Sequence, residues 1–502
     1  MTPQRTRPAG TPPSPTIVVA GLSVRGLAES ARRAGWHVLA LDAFGDHDTR
    51  RASAGWWSIA ADSIAADSID GGASCIDPAR LLCALQAAAL SRPAGTALLG
   101  WVAGSGFEAQ PELLDQASRL VPLLGMGADA IAALRQPRSF FETLAGLGID
   151  HPEVDFEPPA GAGWLAKDMA CSGGQGVRRW HGAQLGDYAR PGVYWQREAS
   201  GRSIGCLLLA QGRGFELLGV HDQLVDPTFD EPFRFAGVVG PARLSETQMA
   251  TLLATLQRLV PAFGLRGLIS VDWLLDGDRW LALEVNPRPS ASLATHEWRH
   301  SHATPRSLLA EHVTQFLPGE LRVRLGLRGG AQLSDATTSG RPTPAGQCCG
   351  ELIVYARTPL TIDAAMLARW ADGTDLHDIP CAPIELPAGA PVLSVSAFGP
   401  DTSTVQLALE QRRTDLLREL MRRHFAHDDR PADDAVSQAG AGPATVKADS
   451  LNSPAVQAAA STRTDRVCAT RRPVALAAAV TATPVVSPTS SHGVFAAAAI
   501  PS

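Results

Sequence analysis

Residues 164–180 read WLAKDMACSGGQGVRRW and hold Lys167, one of only two lysines in a chain with 44 basic residues; the other is Lys447. Arginine fills every other cationic position. A lysine here therefore points to a need for a compact ammonium instead of a planar guanidinium fork. The residues before it, Trp164 to Ala166, are apolar and strand-like. Five positions after it begins Ser172-Gly173-Gly174-Gln175-Gly176. Three glycines in five residues let backbone N–H groups approach a ligand without a Cβ in the way. Successive amides of this kind form a nest for an anion. A strand lysine followed by a glycine loop reads as a phosphate clamp. It is not a Walker A loop, where the lysine follows the glycines and opens a helix.

A second constellation lies further along. ISVDWLLDGDRWLALEVN, 269–286, reads as a hairpin turning at Asp276 to Asp278. Glu284 and Asn286 are two apart on its second strand, so both face one way. A carboxylate and an amide oxygen suit a hard cation such as Mg²⁺, which bridges to nucleotide phosphates. Asp272, on the partner strand, is placed to supply or support a further ligand. Arg288 follows between Pro287 and Pro289, where a rigid guanidinium would meet a transferring phosphoryl group. Leu281, Leu283 and Val285 alternate with these polar groups and are expected to form the core face.

Working outward, TIVVAGLSVRGLAESARRAGWHVLALD, 16–42, has the pattern strand, helix, strand, with Gly35 as helix stop. That predicts a parallel sheet. GLSVRG does not match GxGxxG, so no nicotinamide site is expected. The expected organisation is an α/β domain over 16–123, a second domain over 124–320, a β-rich unit over 340–425, and a disordered tail over 427–502. LGMGADAIAALRQPRSFFETLAGLGIDHPEV, 124–154, has helical periodicity to Leu147, capped by Gly148.

The order and spacing of these segments, about 124–320, resemble the ATP-grasp superfamily. A helix ends in GIDHPEV, then come the lysine strand with SGGQGV, a linker VYWQREASGRS, GLRGLISVDWLL and LEVNPRPSAS. The resemblance implies ATP held with Mg²⁺ or Mn²⁺ between two α+β subdomains. It places Lys167 on the α- and β-phosphates, Ser172, Gly173, Gly174 and Gly176 in a lid spanning about 150–198, and Gln196 to Glu198 beside adenine and ribose. Asp272, Glu284 and Asn286 would hold the metal, and Arg288 would steady the phosphorylated intermediate. The 16–123 unit matches the Rossmann-like pre-ATP-grasp domain. DIPCAPIELPAGAPVLSVSAFG resembles the C-terminal part of biotin-carboxylase-like members. One departure stands out: many members carry a nucleotide lysine where this chain has Pro137, in LRQPRSFF, and Arg135 or Arg138 are the candidate substitutes.

The implied activity is an ADP-forming ligase joining a small carboxylic acid to an amine through an acylphosphate. A homodimer is compatible with the family. GLSVRGLAESARRAGWHVLALDAFGDHDTR and the HDIP-type C-terminal unit resemble predicted carboligases, some linked to tetrahydromethanopterin- and methanofuran-type cofactors, including tyramine–glutamate ligase. A carboxylase activating bicarbonate is the alternative, although no biotin-attachment segment is visible.

Bulk properties agree. A 502-residue chain implies two to four domains. A net charge of −6, with both signs dispersed, leaves no basic face for nucleic acid or a membrane surface. No apolar run is long enough to span a bilayer, and the polar, proline-rich start does not read as a signal peptide. Eight cysteines without a CxxC point to reduced thiols in a cytoplasmic setting.

A rival from another class is HEWRH, 296–300. On a helix it would put His296 and His300 on one face for zinc, with Glu297 as general base and His302, Glu311 or His312 near a third position. Four further residues carry two readings each. Asp42 is a ribose ligand or a polar strand end. Cys171 is redox-sensitive or a small filler. Arg234 binds a substrate carboxylate or sits in a surface salt bridge. Arg25 and Glu108 sit at the sheet end where an acceptor would bind, although Glu108 equally suits the first turn of a helix.

Overall fold

The computed structural model describes residues 14–61, 76–169, 171–182, 192–228, 231–301, 306–325, 327, 347–371 and 373–428. The expected tail from residue 429, most of the leader, and His302 lie outside these.

Thr16–Gly21 is wholly buried and pairs in parallel with His37–Asp42 and Leu98–Ala103; Gly55–Ser58 adds the outer strand. Parallel pairing needs a crossover, which the helix Arg25–Arg33 provides. Gly35 ends that region at φ +76°, a left-handed turn that a side chain would strain. Asp42 is a structural strand end: it accepts from the Gly45 N–H at 2.8 Å and from Trp56 Nε1 at 2.6 Å.

The helical run expected to continue to Leu147 is two helices, Ala128–Leu134 and Pro137–Gly146. Proline lacks the N–H that a continuing helix needs, but fits the first turn of a new one. The break leaves Arg135 at the C-terminus of the first helix.

A small antiparallel sheet follows, in the order Val154–Asp155, Val193–Arg197, Trp164–Asp168, Val177–Trp180. It has its own core of Trp164, Ala166, Trp180 and Trp195. The main sheet has eight strands. From one edge these are Arg279–Asn286, Arg266–Asp276, Arg202–Gln211, Phe215–Val225, Phe235–Gly240, Cys348–Tyr355, Pro391–Gly399 and Leu376–His377. The C-terminal residues thus continue the central sheet through pairing of Phe235–Gly240 with Cys348–Tyr355. The helix Glu246–Ala262, started by a Ser245/Gln248 capping box, covers the sheet.

The hairpin turns where expected, with Gly277 at φ +59°. Its core face departs from the expectation at one position. A bulge lets Trp273 pair with Ala282 while Asp272 pairs with Glu284, so Leu283 is skipped. Leu281 and Val285 are buried as expected, Leu283 is only half-buried, and Trp280 and Ala282 are core residues that alternation did not predict. The bulge resets the alternation and keeps Glu284 and Asn286 on the face opposite Val285.

Candidate active site

Lys167 projects from the small sheet. Its Nζ donates to Gln196 Oε1 at 3.3 Å and lies 5.8 Å from the Tyr194 ring centroid. Gln196 is buried, and its Nε2 has no protein partner. The ammonium is near enough to the hairpin to favour ionised Asp272.

On the hairpin, Asp272 and Glu284 sit directly opposite each other. Like charges in that position destabilise a strand pair. Burial first, then Glu284, pushes the Asp272 carboxyl up to about 7, although Gln223 donates to Oδ1 at 2.8 Å. Asn286 Nδ2 is 3.3 Å from Asp272 Oδ2. These oxygens gather on one face of the hairpin, as expected from the sequence. Among the described residues, no group of three or more His, Cys, Asp or Glu gathers for a metal. Two carboxylates and an amide, with phosphate oxygens completing the shell, match the manner in which Mg²⁺ is usually held.

Arg135 joins this cluster. Its Nη2 contacts Glu284 Oε1 at 2.7 Å and Asn286 Oδ1 at 3.1 Å, and its Nε is buried without a protein partner. Arg138 instead stacks on Phe156, at 4.2 Å. Arg288 Nε donates to Glu108 Oε1 at 2.6 Å. Burial opposes ionisation of Glu108, but Arg288 and Arg135 outweigh it and hold the carboxyl below its ordinary value. Glu108 therefore orients the arginine that follows the hairpin. A small cavity lies alongside, lined by Gly104, Phe107, Glu108, Met126, Pro287 and Arg288.

The glycine loop folds down onto the main sheet. Phe235 N–H donates to Gly173 O at 2.8 Å. A Cβ on Gly174, at φ +77°, would come 2.0 Å from Phe233 O. Gly174→Ala should therefore lift the loop by about an ångström and lower kcat/KM for ATP about a hundredfold, with Tm little changed. Steady-state kinetics and a melt on the same sample check this. Unchanged kinetics would show that loop docking is irrelevant. Cys171 is a small filler, its side chain packed against Gly176. Glu198 pairs with Arg179 at 2.9 Å on the outer side of the small sheet.

Other expectations are corrected. Arg25 is consumed by Asp378 at 2.7 Å and by Glu351, and is shut off from an acceptor. Asp378 and Ile379 of the HDIP segment anchor there too, through the Asp48 side chain and the His47 backbone. Arg234 forms a buried pair with Asp226 at 2.7 Å, not a surface one. HEWRH does lie on the helix Leu293–Ser301, but Glu297 is no base. It accepts from Ser30 Oγ and the Leu308 N–H and pairs with Arg33 at 2.8 Å. His296 meets His221 at 2.9 Å, nitrogen to nitrogen. Burial pushes His221 down to about 3, keeping it neutral. His312 bridges the Leu268 N–H and Leu124 O. Glu297, His296 and His312 are thus engaged with other groups, which argues against the zinc-peptidase reading. Sequence reasoning missed Gln223, whose role depends on strand register, and the contact of Arg135 with the hairpin.

The arrangement is a two-sided grip: a lysine sheet with a glycine flap on one side, an acidic hairpin on the other. Residues 138–292 match the ATP-grasp domain family. Enzymes of this fold use ATP with Mg²⁺ or Mn²⁺. No curated protein matches the sequence. Among solved structures, a Rhizobium etli pyruvate carboxylase is similar at TM-score 0.56 and 15% identity, over 83% of this chain and 39% of that one. The present chain thus spans well under half of that carboxylase. Campylobacter jejuni biotin carboxylase aligns at TM-score 0.54 and 13% identity, over 78% and 88%. A Bacillus licheniformis L-amino acid ligase aligns at 0.53 and 12%, over 81% and 97%. Among the described residues no helix is long and apolar enough to cross a membrane.

Proposed function

We propose that the protein is an ATP-dependent ligase that condenses a small carboxylic acid with an amine. The observation that carries this reading is the gathering of Asp272, Glu284 and Asn286 oxygens on one face of the hairpin, with Lys167 held against Gln196 on the neighbouring small sheet. A triphosphate laid between them meets an ammonium on one side. On the other it meets oxygen ligands for the divalent cation, which supplies charge neutralisation to the phosphates.

The substrate carboxylate oxygen attacks the γ-phosphorus, the bond to the β-phosphate oxygen breaks, and ADP leaves. The amine then attacks the acyl carbon, phosphate departs, and the amine loses a proton. Such transfer needs positioning and charge stabilisation more than covalent help. Lys167 and Arg288 supply the charge, Gln196 and Glu108 orient them, and the Ser172–Gly176 flap keeps water from the acylphosphate.

Resemblance to carboligases of tetrahydromethanopterin- and methanofuran-type cofactor synthesis makes glutamate-like acids and aryl-ethylamines the first substrates to test. A phosphate-release screen crossing acids with amines, with ATP and Mg²⁺, should give release that requires both partners. Release independent of both would refute the ligase reading, and incorporation of labelled bicarbonate would replace it with carboxylation.

A further inference from the structure

The Arg135 guanidinium stands where the cation of the proposed site would stand. One nitrogen, Nη2, touches both Glu284 Oε1 and Asn286 Oδ1, at 2.7 and 3.1 Å. Those are two of the three candidate metal ligands. The side chain is only 9% exposed, so water does little to screen it. The Arg135 backbone caps the C-terminus of the helix Ala128–Leu134. The carboxylates that favour the guanidinium charge are Glu284 and Glu108, with a smaller contribution from Tyr194.

Mg²⁺ binds oxygen at about 2.0–2.1 Å. A guanidinium nitrogen bridging the same two oxygens leaves no room for it, and two cations sharing them repel. We propose that Arg135 is a positioning residue that occupies the metal ligands until nucleotide arrives. Bare metal is then refused. Metal enters together with the triphosphate, whose negative charge draws the guanidinium off Glu284 and onto phosphate oxygens, which suit its fork. Arg135 thereby makes metal binding conditional on ATP and guards against idle occupation of the site. This inference rests on the metal reading of Asp272, Glu284 and Asn286.

The test is Mn²⁺ titration followed by electron paramagnetic resonance, on the full chain, with and without a non-hydrolysable ATP analogue. Wild type is expected to bind Mn²⁺ weakly alone and tightly with the analogue. Arg135→Gln should tighten binding of Mn²⁺ alone by about tenfold or more and weaken binding with the analogue. Arg135→Lys, which keeps the charge, should bind Mn²⁺ alone as weakly as wild type. Should Arg135→Gln fail to fold, Arg135→Lys against Glu284→Gln in the same titration still decides the matter. A lysine variant that binds bare Mn²⁺ markedly better than wild type contradicts a charge block. If wild type binds Mn²⁺ with the analogue and Arg135→Gln leaves bare-metal affinity unchanged, Arg135 is a structural ion pair only and this inference fails alone. If wild type takes up no Mn²⁺ even with the analogue, the metal reading fails with it.

Discussion

Lys167→Ala should lower ATP-dependent phosphate release by about a thousandfold. Loss of one preorganised donor to developing charge costs 10²–10³, and this donor carries a full charge in a partly buried cleft. The loss should appear in kcat/KM for ATP, accompanied by weaker nucleotide binding in calorimetry. Lys167→Arg should not rescue it. The ammonium lies between Gln196 and the Tyr194 ring, where a longer planar fork has no matching geometry. The substitution leaves the small sheet standing, since Trp164, Trp180 and Trp195 form its core. Tryptophan fluorescence provides the control for folding. Retention of more than a tenth of wild-type kcat/KM would show that the phosphates lie elsewhere.

Glu284→Gln is the second large effect. The amide keeps the shape but removes the charge that would bind the cation. A lost metal contact is worth several kcal/mol of transition-state stabilisation, or about 10²–10³ in rate. The variant should partly recover at high Mg²⁺ or Mn²⁺, because what fails is metal affinity and not the fold. A variant with wild-type rate at ordinary Mg²⁺ would remove Glu284 from the site. Its cross-strand neighbour Asp272 gives a second readout. Without the opposing carboxylate, one cause of its raised ionisation is gone, so the Asp272 carboxyl should titrate lower in the variant.

What the sequence discloses is local chemistry. A rare lysine before a glycine loop, and a carboxylate and amide two apart on a strand, are short-range patterns, and both sit in the cleft. The parallel opening is equally legible, because buried strands and a helix stop at Gly35 follow from side-chain size and backbone freedom. The features that escape are long-range. Arg288 meets Glu108 across 180 positions, and Arg135 meets Asn286 across 151. No periodicity encodes such meetings. Pro137 carried a clue to the second, since it breaks the helix and leaves Arg135 at an end, but the direction of the side chain depends on packing. The bulge at Leu283 is likewise a property of two strands, and alternation on one of them misplaces Leu283 while placing Leu281 and Val285 correctly. HEWRH shows the reverse error: its spacing permits zinc, while Ser30, Arg33 and Leu308, distant in sequence, immobilise Glu297.

The central claim is that the triphosphate is held between Lys167 and the Asp272–Glu284–Asn286 hairpin. A crystal structure with Mg²⁺ and a non-hydrolysable ATP analogue tests it most directly. The account predicts phosphate oxygens within hydrogen-bonding distance of Lys167 Nζ, a metal coordinated by Glu284 and Asn286, and Arg135 turned from them toward phosphate. Nucleotide bound outside this cleft, or a metal that ignores the hairpin, would contradict it.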